Sequence, residues 1–138
     1  MISRSDIQLI NYKVNLLPYK ADPLRYFTPE FWTAIDAEGG DCEDFGIEKY
    51  RRLYLRGFPR ESLRLATCWI KPGMNADDYH AACIVRFNGA DLCLCNRYPH
   101  PMEIDLLPYE FHKVQVPAMR EWEYEKQFAL NHPELCFQ

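Results

Sequence analysis

The stretch YHAACIVRFNGADLCLCN, residues 79–96, is two runs of strand-forming residues divided by Asn88-Gly89. Asn-Gly tolerates positive φ at both positions, which a two-residue hairpin turn needs if its twist is to match the flanking strands. The stretch therefore predicts antiparallel strands over Tyr79–Phe87 and Ala90–Arg97. A turn of that length pairs Phe87 with Ala90, Arg86 with Asp91 and Ala82 with Cys95. The Arg86–Asp91 opposition is a favourable cross-strand ion pair and supports the register. His80 and Cys95 then fall on one face as diagonal neighbours, roughly 5–7 Å apart. The opposite face carries Cys83, Val85, Phe87, Leu92 and Leu94, an apolar set suited to a core.

Outward from the hairpin, Leu63 to Lys71 alternates and is rich in strand formers, and it ends at Pro72-Gly73. Residues 73–78 read as a polar loop. Phe111 to Val116 predicts a further strand and Ala118 to Asn131 a closing helix. Upstream, Phe45, Ile47, Tyr50, Leu53 and Tyr54 recur at near-helical spacing, so a helix is expected from Cys42 to about Arg56, with Gly57 as its stop. Asp41 is placed as its N-cap, with Asp44 three residues on in a capping-box arrangement. Residues 1–38, punctuated by Pro18, Pro23 and Pro29, predict a short helix or extended arm, a turn, and a brief helix near Pro29 to Ala37. Helices first and an antiparallel meander after them make an α+β fold, with N-terminal helices packed on the sheet.

A chain of 138 residues is one domain, 1–138, large enough for a core. Apolar residues at 48% and charged residues at 26% are ordinary for a globular protein. A net charge of −4 argues against nucleic acid as the main partner. No apolar run approaches the roughly 20 residues that span a bilayer, so no membrane partner is expected. The start, MISRSDIQLINYKVN, lacks the hydrophobic segment and cleavage site of a signal peptide. A cytoplasmic or virion setting is the expectation.

Six cysteines are present, and in such a setting Cys68, Cys83 and Cys93 read as reduced, buried small hydrophobes. No CxxC pair occurs. Cys93 and Cys95 share a strand face, where such neighbours rarely bridge. Lys49, Arg51, Arg52, Arg56, Arg60 and Arg64 form a basic run that reads as a solvated face complementing the helix C-terminus. His100 and His132 sit in proline-flanked turns and His112 in a strand, none in a catalytic context. Cys42 stands apart, because Asp41, Glu43 and Asp44 surround it and negative charge makes a thiolate harder to form.

GDCEDFGIEKYRRLYLRGFP, then YHAACIV, then LCLCN resemble the bacterial transglutaminase-like cysteine peptidases, whose pattern is close to GDCEDYAxxKYxxLxxxGxP, then HAVL, then LDN. VNLLPYKAD and TPEF resemble the family's lead-in, and YEFHKVQV with Trp122 its end, so the likeness covers nearly the whole chain. It implies a papain-like α+β core carrying a Cys–His–Asp triad, with Cys42 as nucleophile, His80 as base, and a protein or peptide substrate. The chemistry agrees. A cysteine in a helix's first turn feels the positive end of the dipole, and a nearby imidazolium lowers its pKa further. Backbone N–H groups at that helix end can hold an oxyanion. The resemblance also makes Asp41 and Glu43 candidate calcium ligands, although two carboxylates fall short of the six or more oxygens calcium takes. Capping and solvation are the alternative reading of both.

The departure lies at position 95, where the family's Asp is Cys95. A carboxylate there orients the histidine and stabilises its protonated form. Asp91 is no substitute, because it lies at the turn end, roughly 15 Å or more from His80. Asn96 points to the opposite face in this register and would orient the imidazole only if a bulge intervened. Asp105 lies on a segment without an assigned element. Three readings follow: a working Cys–His pair with another orienting group and no cofactor; a lapsed enzyme serving as a structural or binding part of an assembly such as a bacteriophage virion; or Cys42, His80 and Cys95 as soft ligands for zinc or iron.

Overall fold

The first helix, α1 (Arg4–Asn15), is closed at its start by Ser3 and Asp6. The Ser3 hydroxyl accepts from the Asp6 N–H at 3.4 Å, and the Asp6 carboxylate accepts from the Ser3 N–H at 2.7 Å. This reciprocal cap satisfies two otherwise orphaned donors. The structure is a computed structural model that describes residues 2–17, 42–70, 79–115 and 122–124; the side chains of 42–44 and 122–124 also lie outside the described residues. The expected helix near Pro29–Ala37 and the Asp41 cap therefore lie outside them.

The second helix, α2, spans Cys42–Arg56 as predicted. Gly57 ends it at φ +118°, with its N–H donating to the Tyr54 carbonyl and the Phe58 N–H to the Leu53 carbonyl. That pair of bonds is the Schellman closure, and its left-handed residue is the reason for glycine there.

Among the described residues six strands form one antiparallel sheet: β1 (Leu63–Trp69), β2 (Tyr79–Phe87), β3 (Ala90–Leu94), β4 (Met102–Glu103), β5 (Glu110–Gln115) and β6 (Trp122–Tyr124), in the order β4-β3-β2-β1-β5-β6. The hairpin register is the predicted one, with Phe87 opposite Ala90 and Arg86 opposite Asp91. Asn88 and Gly89 both take positive φ, as the turn requires. The first four strands form a meander, and β5 then returns to the free edge of β1. Strand β3 stops three residues short of the expected Arg97, and β1 two short of Lys71. The predicted closing helix over Ala118–Asn131 is corrected at Trp122–Tyr124, which pairs with β5 as a strand.

Each face of the sheet has its own core. On one, Leu63, Leu65, Cys83 and Val85 meet Ile7 of α1 and Leu53 of α2. On the other, Ala66, Ala82, Ile84, Cys93 and Cys95 pack with Ile104, Leu107 and Tyr109 of the segment between β4 and β5. The basic run is not uniformly solvated. Arg64 is fully buried and ion-paired with Asp91, which Arg86 also approaches at 3.6 Å. Lys49 is fully buried as well, while Arg51 and Arg52 hold the buried Glu48 carboxylate at 2.6 and 2.7 Å. Arg64 is accommodated inside because Asp91 meets it, since burying a bare guanidinium is costly.

Candidate active site

Strand β2 carries His80 into the sheet's interior, 6% exposed, and the ladder sets Cys68 of β1 directly opposite it. The register extends to place Cys95 just past the end of β3, on the same face as His80 and opposite Ala82. Cys95 is buried, with its sulfur 3.3 Å from the Tyr109 hydroxyl. The Tyr109 ring meets the His80 ring edge-on at 6.0 Å between centroids. Arg97 donates to the same Tyr109 hydroxyl at 3.4 Å. The imidazole Nε2 is buried and has no hydrogen-bond partner among the described residues.

The electrostatics of this face are uneven. Cys95 is held below the ordinary thiol range, first by a hydrogen bond from the Cys93 thiol and then by His80 and Tyr109, against the opposing effect of burial. Cys93 is correspondingly raised. Burial raises the Tyr109 phenol, and its hydroxyl shares with the Cys95 sulfur a hydrogen bond in which either atom can donate. Burial pushes the Lys49 ammonium down to about 8, and Cys95, Cys83 and Cys93 oppose that fall. The Lys49 Nζ has no hydrogen-bond partner among the described residues.

Cys42 opens α2, and its side chain lies outside the described residues. The helix places it relative to β2 all the same. A β-carbon on Gly46, one turn after Cys42, would stand 3.5 Å from the carbonyl carbon of Ala82, two residues after His80. The amino end of α2 thus starts near the His80 end of β2. Asp41 and Glu43 fall outside the described residues or have side chains that do. Among the described residues no group of three or more His, Cys, Asp or Glu side chains is placed to hold a metal ion.

Asn96 sits in the turn that follows β3, with its Oδ1 buried and without a hydrogen-bond partner among the described residues. The β2–β3 ladder pairs residue for residue without a bulge. That turn is fixed from α1, a device the sequence reading missed. The Asn15 side-chain amide donates to the Cys95 and Tyr98 carbonyls, each at 3.2 Å, and Asn11 donates to the Tyr98 and Pro99 carbonyls. Asp105 lies in a 3-10 turn, Ile104–Leu106, and Asp91 is taken up by its arginines. His112 accepts or donates at 2.7 Å to the Tyr79 hydroxyl, and exposed His100 meets Gln8 of α1 at 3.0 Å. Tyr109 and Lys49 were both missed as site residues. Tyr109 left no motif, whereas Lys49 falls four residues from Phe45 and from Leu53, on the helix's buried stripe.

A family model described as bacterial transglutaminase-like cysteine proteinase matches residues 3–127. Calcium-bound Legionella pneumophila LapG superimposes with a TM-score of 0.72 at 22% identity, over 87% of this chain and 67% of that one. A second LapG structure gives 0.68 at 20% identity, over 93% and 72% of the two chains. EGTA-treated LapG gives 0.64 at 19% identity, over 94% and 75%. These likenesses establish a shared fold. No curated protein matches the chain by sequence.

Proposed function

The chain belongs to the bacterial transglutaminase-like cysteine proteinases, and from that premise we propose that it is a thiol hydrolase of peptide bonds in which Cys42 attacks and His80 moves the proton. The observation that carries the reading is the approach of α2's first turns to β2 beside a buried imidazole whose Nε2 has no hydrogen-bond partner among the described residues. In the first step the Cys42 thiol yields its proton to His80 and the sulfur bonds to the peptide carbonyl carbon. N–H groups of α2's first turn hold the resulting oxyanion, aided by the helix dipole. Collapse breaks the C–N bond as His80 returns its proton to the leaving amine. Water, deprotonated by His80, then cleaves the thioester and restores the thiol.

Protein or peptide is the substrate class in this reading. Asp41 and Glu43 are its candidate calcium ligands, hard oxygen donors that other oxygens must complete to six or more. Calorimetric titration of calcium into the chain and into Asp41→Asn checks that assignment; equal binding by both would remove Asp41 from it.

Alkylation by iodoacetamide across pH tests the nucleophile. Cys42 is expected to react faster than a free thiol near neutral pH and to lose that advantage in His80→Ala. A Cys42 that reacts as a free thiol does and ignores His80 would overturn the reading and favour the non-catalytic assembly role.

A further inference from the structure

Gln8, Asn11 and Asn15 of α1 carry side-chain amides and fall on one stripe of the helix, three and then four residues apart. They run antiparallel to the segment that follows β3, and each meets it. The Asn15 amide donates to the carbonyls of Cys95 and Tyr98, each at 3.2 Å. Asn11 donates to those of Tyr98 and Pro99 at 3.4 and 3.3 Å, and exposed Gln8 meets the His100 ring at 3.0 Å. The ladder with β2 stops at Leu94 and that with β4 at Cys93, so the carbonyls beyond need partners from elsewhere. The two asparagine amides put their N–H donors on those carbonyls, with Tyr98 accepting from both.

The clamped segment lies beside the imidazole. Cys95, opposite Ala82 on the continued register, stands on the same face as His80, and its sulfur shares a hydrogen bond with the Tyr109 hydroxyl at 3.3 Å. Arg97, two residues on, donates to the same hydroxyl at 3.4 Å. The Tyr109 ring in turn stands edge-on to His80 at 6.0 Å between centroids. The segment is thus held twice, by its backbone to α1 and by two of its side chains to Tyr109. Helix α1 is itself seated on α2, where Asp6 meets Arg56 at 3.1 Å and Val14 packs with Phe45. Since α2 begins at Cys42, α1 is the common support of the helix that opens with Cys42 and of the turn that carries Cys95.

We infer that Asn15 and Asn11 are positioning residues, which set Cys95 against His80 and Tyr109 by holding the backbone carbonyls of Cys95, Tyr98 and Pro99, and that Asn15 has the larger share. The consequence for catalysis rests on the peptidase reading; the placement of Cys95 beside His80 does not. An amide suits the task because its nitrogen gives two donors to two carbonyls at once. A carboxylate of the same shape would set lone pairs against lone pairs and leave a charge in a part-buried place. Asn15→Asp therefore reverses the contact while keeping the size of the side chain. The bonds of Asn11 begin at Tyr98, beyond Cys95, so its effect on the imidazole is the smaller one.

Catalysis and geometry are read separately in the test. Steady-state kinetics of the full chain on a peptide substrate compare the parent with Asn15→Asp and Asn11→Asp. Asn15→Asp should lower kcat by about ten- to a hundredfold with KM little changed, and Asn11→Asp should lower it less. Imidazole proton–nitrogen correlation spectra of the same proteins at one pH give the second reading. Asn15→Asp should shift the His80 signals and leave in place those of His112, which sits on β5 and bonds Tyr79. Asn15→Ser, shorter and uncharged, should shift His80 as well, which separates lost hydrogen bonds from the new charge and keeps the test open if Asn15→Asp does not fold. His80 signals that stay in place in a folded Asn15 variant would overturn the inference. So would His80 and His112 signals that move together, a loss confined to KM, or an Asn11 variant that loses more kcat than its Asn15 counterpart. A parent chain without peptidase activity whose His80 signals still answer to Asn15 would sink the peptidase reading and leave the positioning standing.

Discussion

The Tyr109 hydroxyl and the Cys95 sulfur stand 3.3 Å apart, both buried, and join the end of β3 to the segment that leads into β5. Tyr109 also touches His80 and Phe111 edge-on through its ring, at 6.0 and 6.3 Å. Ring and hydroxyl therefore do separable things: one fills the core and the other hydrogen-bonds the sulfur.

Tyr109→Phe separates them. The ring packing survives, so stability should change by about 1 kcal/mol, the net worth of one hydrogen bond. Loss of that hydrogen bond should lower kcat by about tenfold with KM unchanged, because the bond supports the residues beside the imidazole rather than the substrate. Urea unfolding and steady-state kinetics on a peptide substrate check the two effects. A rise in KM alone would place Tyr109 in substrate binding instead.

Arg64 and Asp91 form an ion pair with almost no solvent contact, reaching from β1 to β3 across β2. Asp91→Ala takes the carboxylate from a buried guanidinium that Arg86 already repels, and should destabilise the fold by about 3–5 kcal/mol. The double change Arg64→Met with Asp91→Leu should recover most of that loss, because desolvating the pair offsets much of its attraction. Chemical unfolding of both variants gives the comparison. Equal losses in single and double variants would mean that packing, not charge, sets the cost.

The hairpin and α2 were legible because their signals are local. Asn88-Gly89 dictates its turn and hence the register that sets His80 beside Cys95, and β2 has the expected bounds. What failed was settled by contacts distant in sequence. Trp122–Tyr124 sits among good helix formers, but it pairs with the β5 edge, and pairing outweighs propensity. Arg64 and Lys49 read as surface charges because composition does not show which partner waits inside. Tyr109 carries no motif, since its role depends on where the turn after β4 delivers it. The family pattern named Cys42 and His80, and it could not say what replaces a carboxylate with a thiol.

Gly46 and Gly57 should respond oppositely to alanine. At Gly46 a β-carbon meets only ordinary contacts at 3.5–3.7 Å, and the resembling family pattern has alanine there. Gly46→Ala should stabilise by roughly 0.5–1 kcal/mol through helix propensity. Gly57 sits at φ +118° with Ile2 3.3 Å from a β-carbon, so Gly57→Ala should destabilise by about 1 kcal/mol or more. Thermal unfolding of the two variants side by side checks the sign of each.

Cys83 ties the stability of the helix-facing core to alkaline pH. Its thiol is wholly enclosed, and burial pushes it up to about 12, with Lys49 and Arg64 pulling the other way. In the unfolded chain the same thiol loses its proton near 9. Between those two values the folded state binds the proton that the unfolded state releases, so stability falls as pH rises. The slope due to this one group is about 1.4 kcal/mol per pH unit. Lys49 acts in the opposite sense between about 8 and 10.5, since there the unfolded chain holds a proton that the fold has shed. The two nearly cancel between about 9 and the lysine's ordinary value, and above it Cys83 adds to the fall that the raised Cys93 and Tyr109 also produce. Cys83→Ala should therefore be less stable than the parent near neutrality, from the small cavity it leaves, and should lose less with alkali, so that the two unfolding curves converge as pH rises. Urea midpoints measured from neutral pH to above about 10.5 test this, and parallel curves for the two proteins would show that the Cys83 proton plays no part.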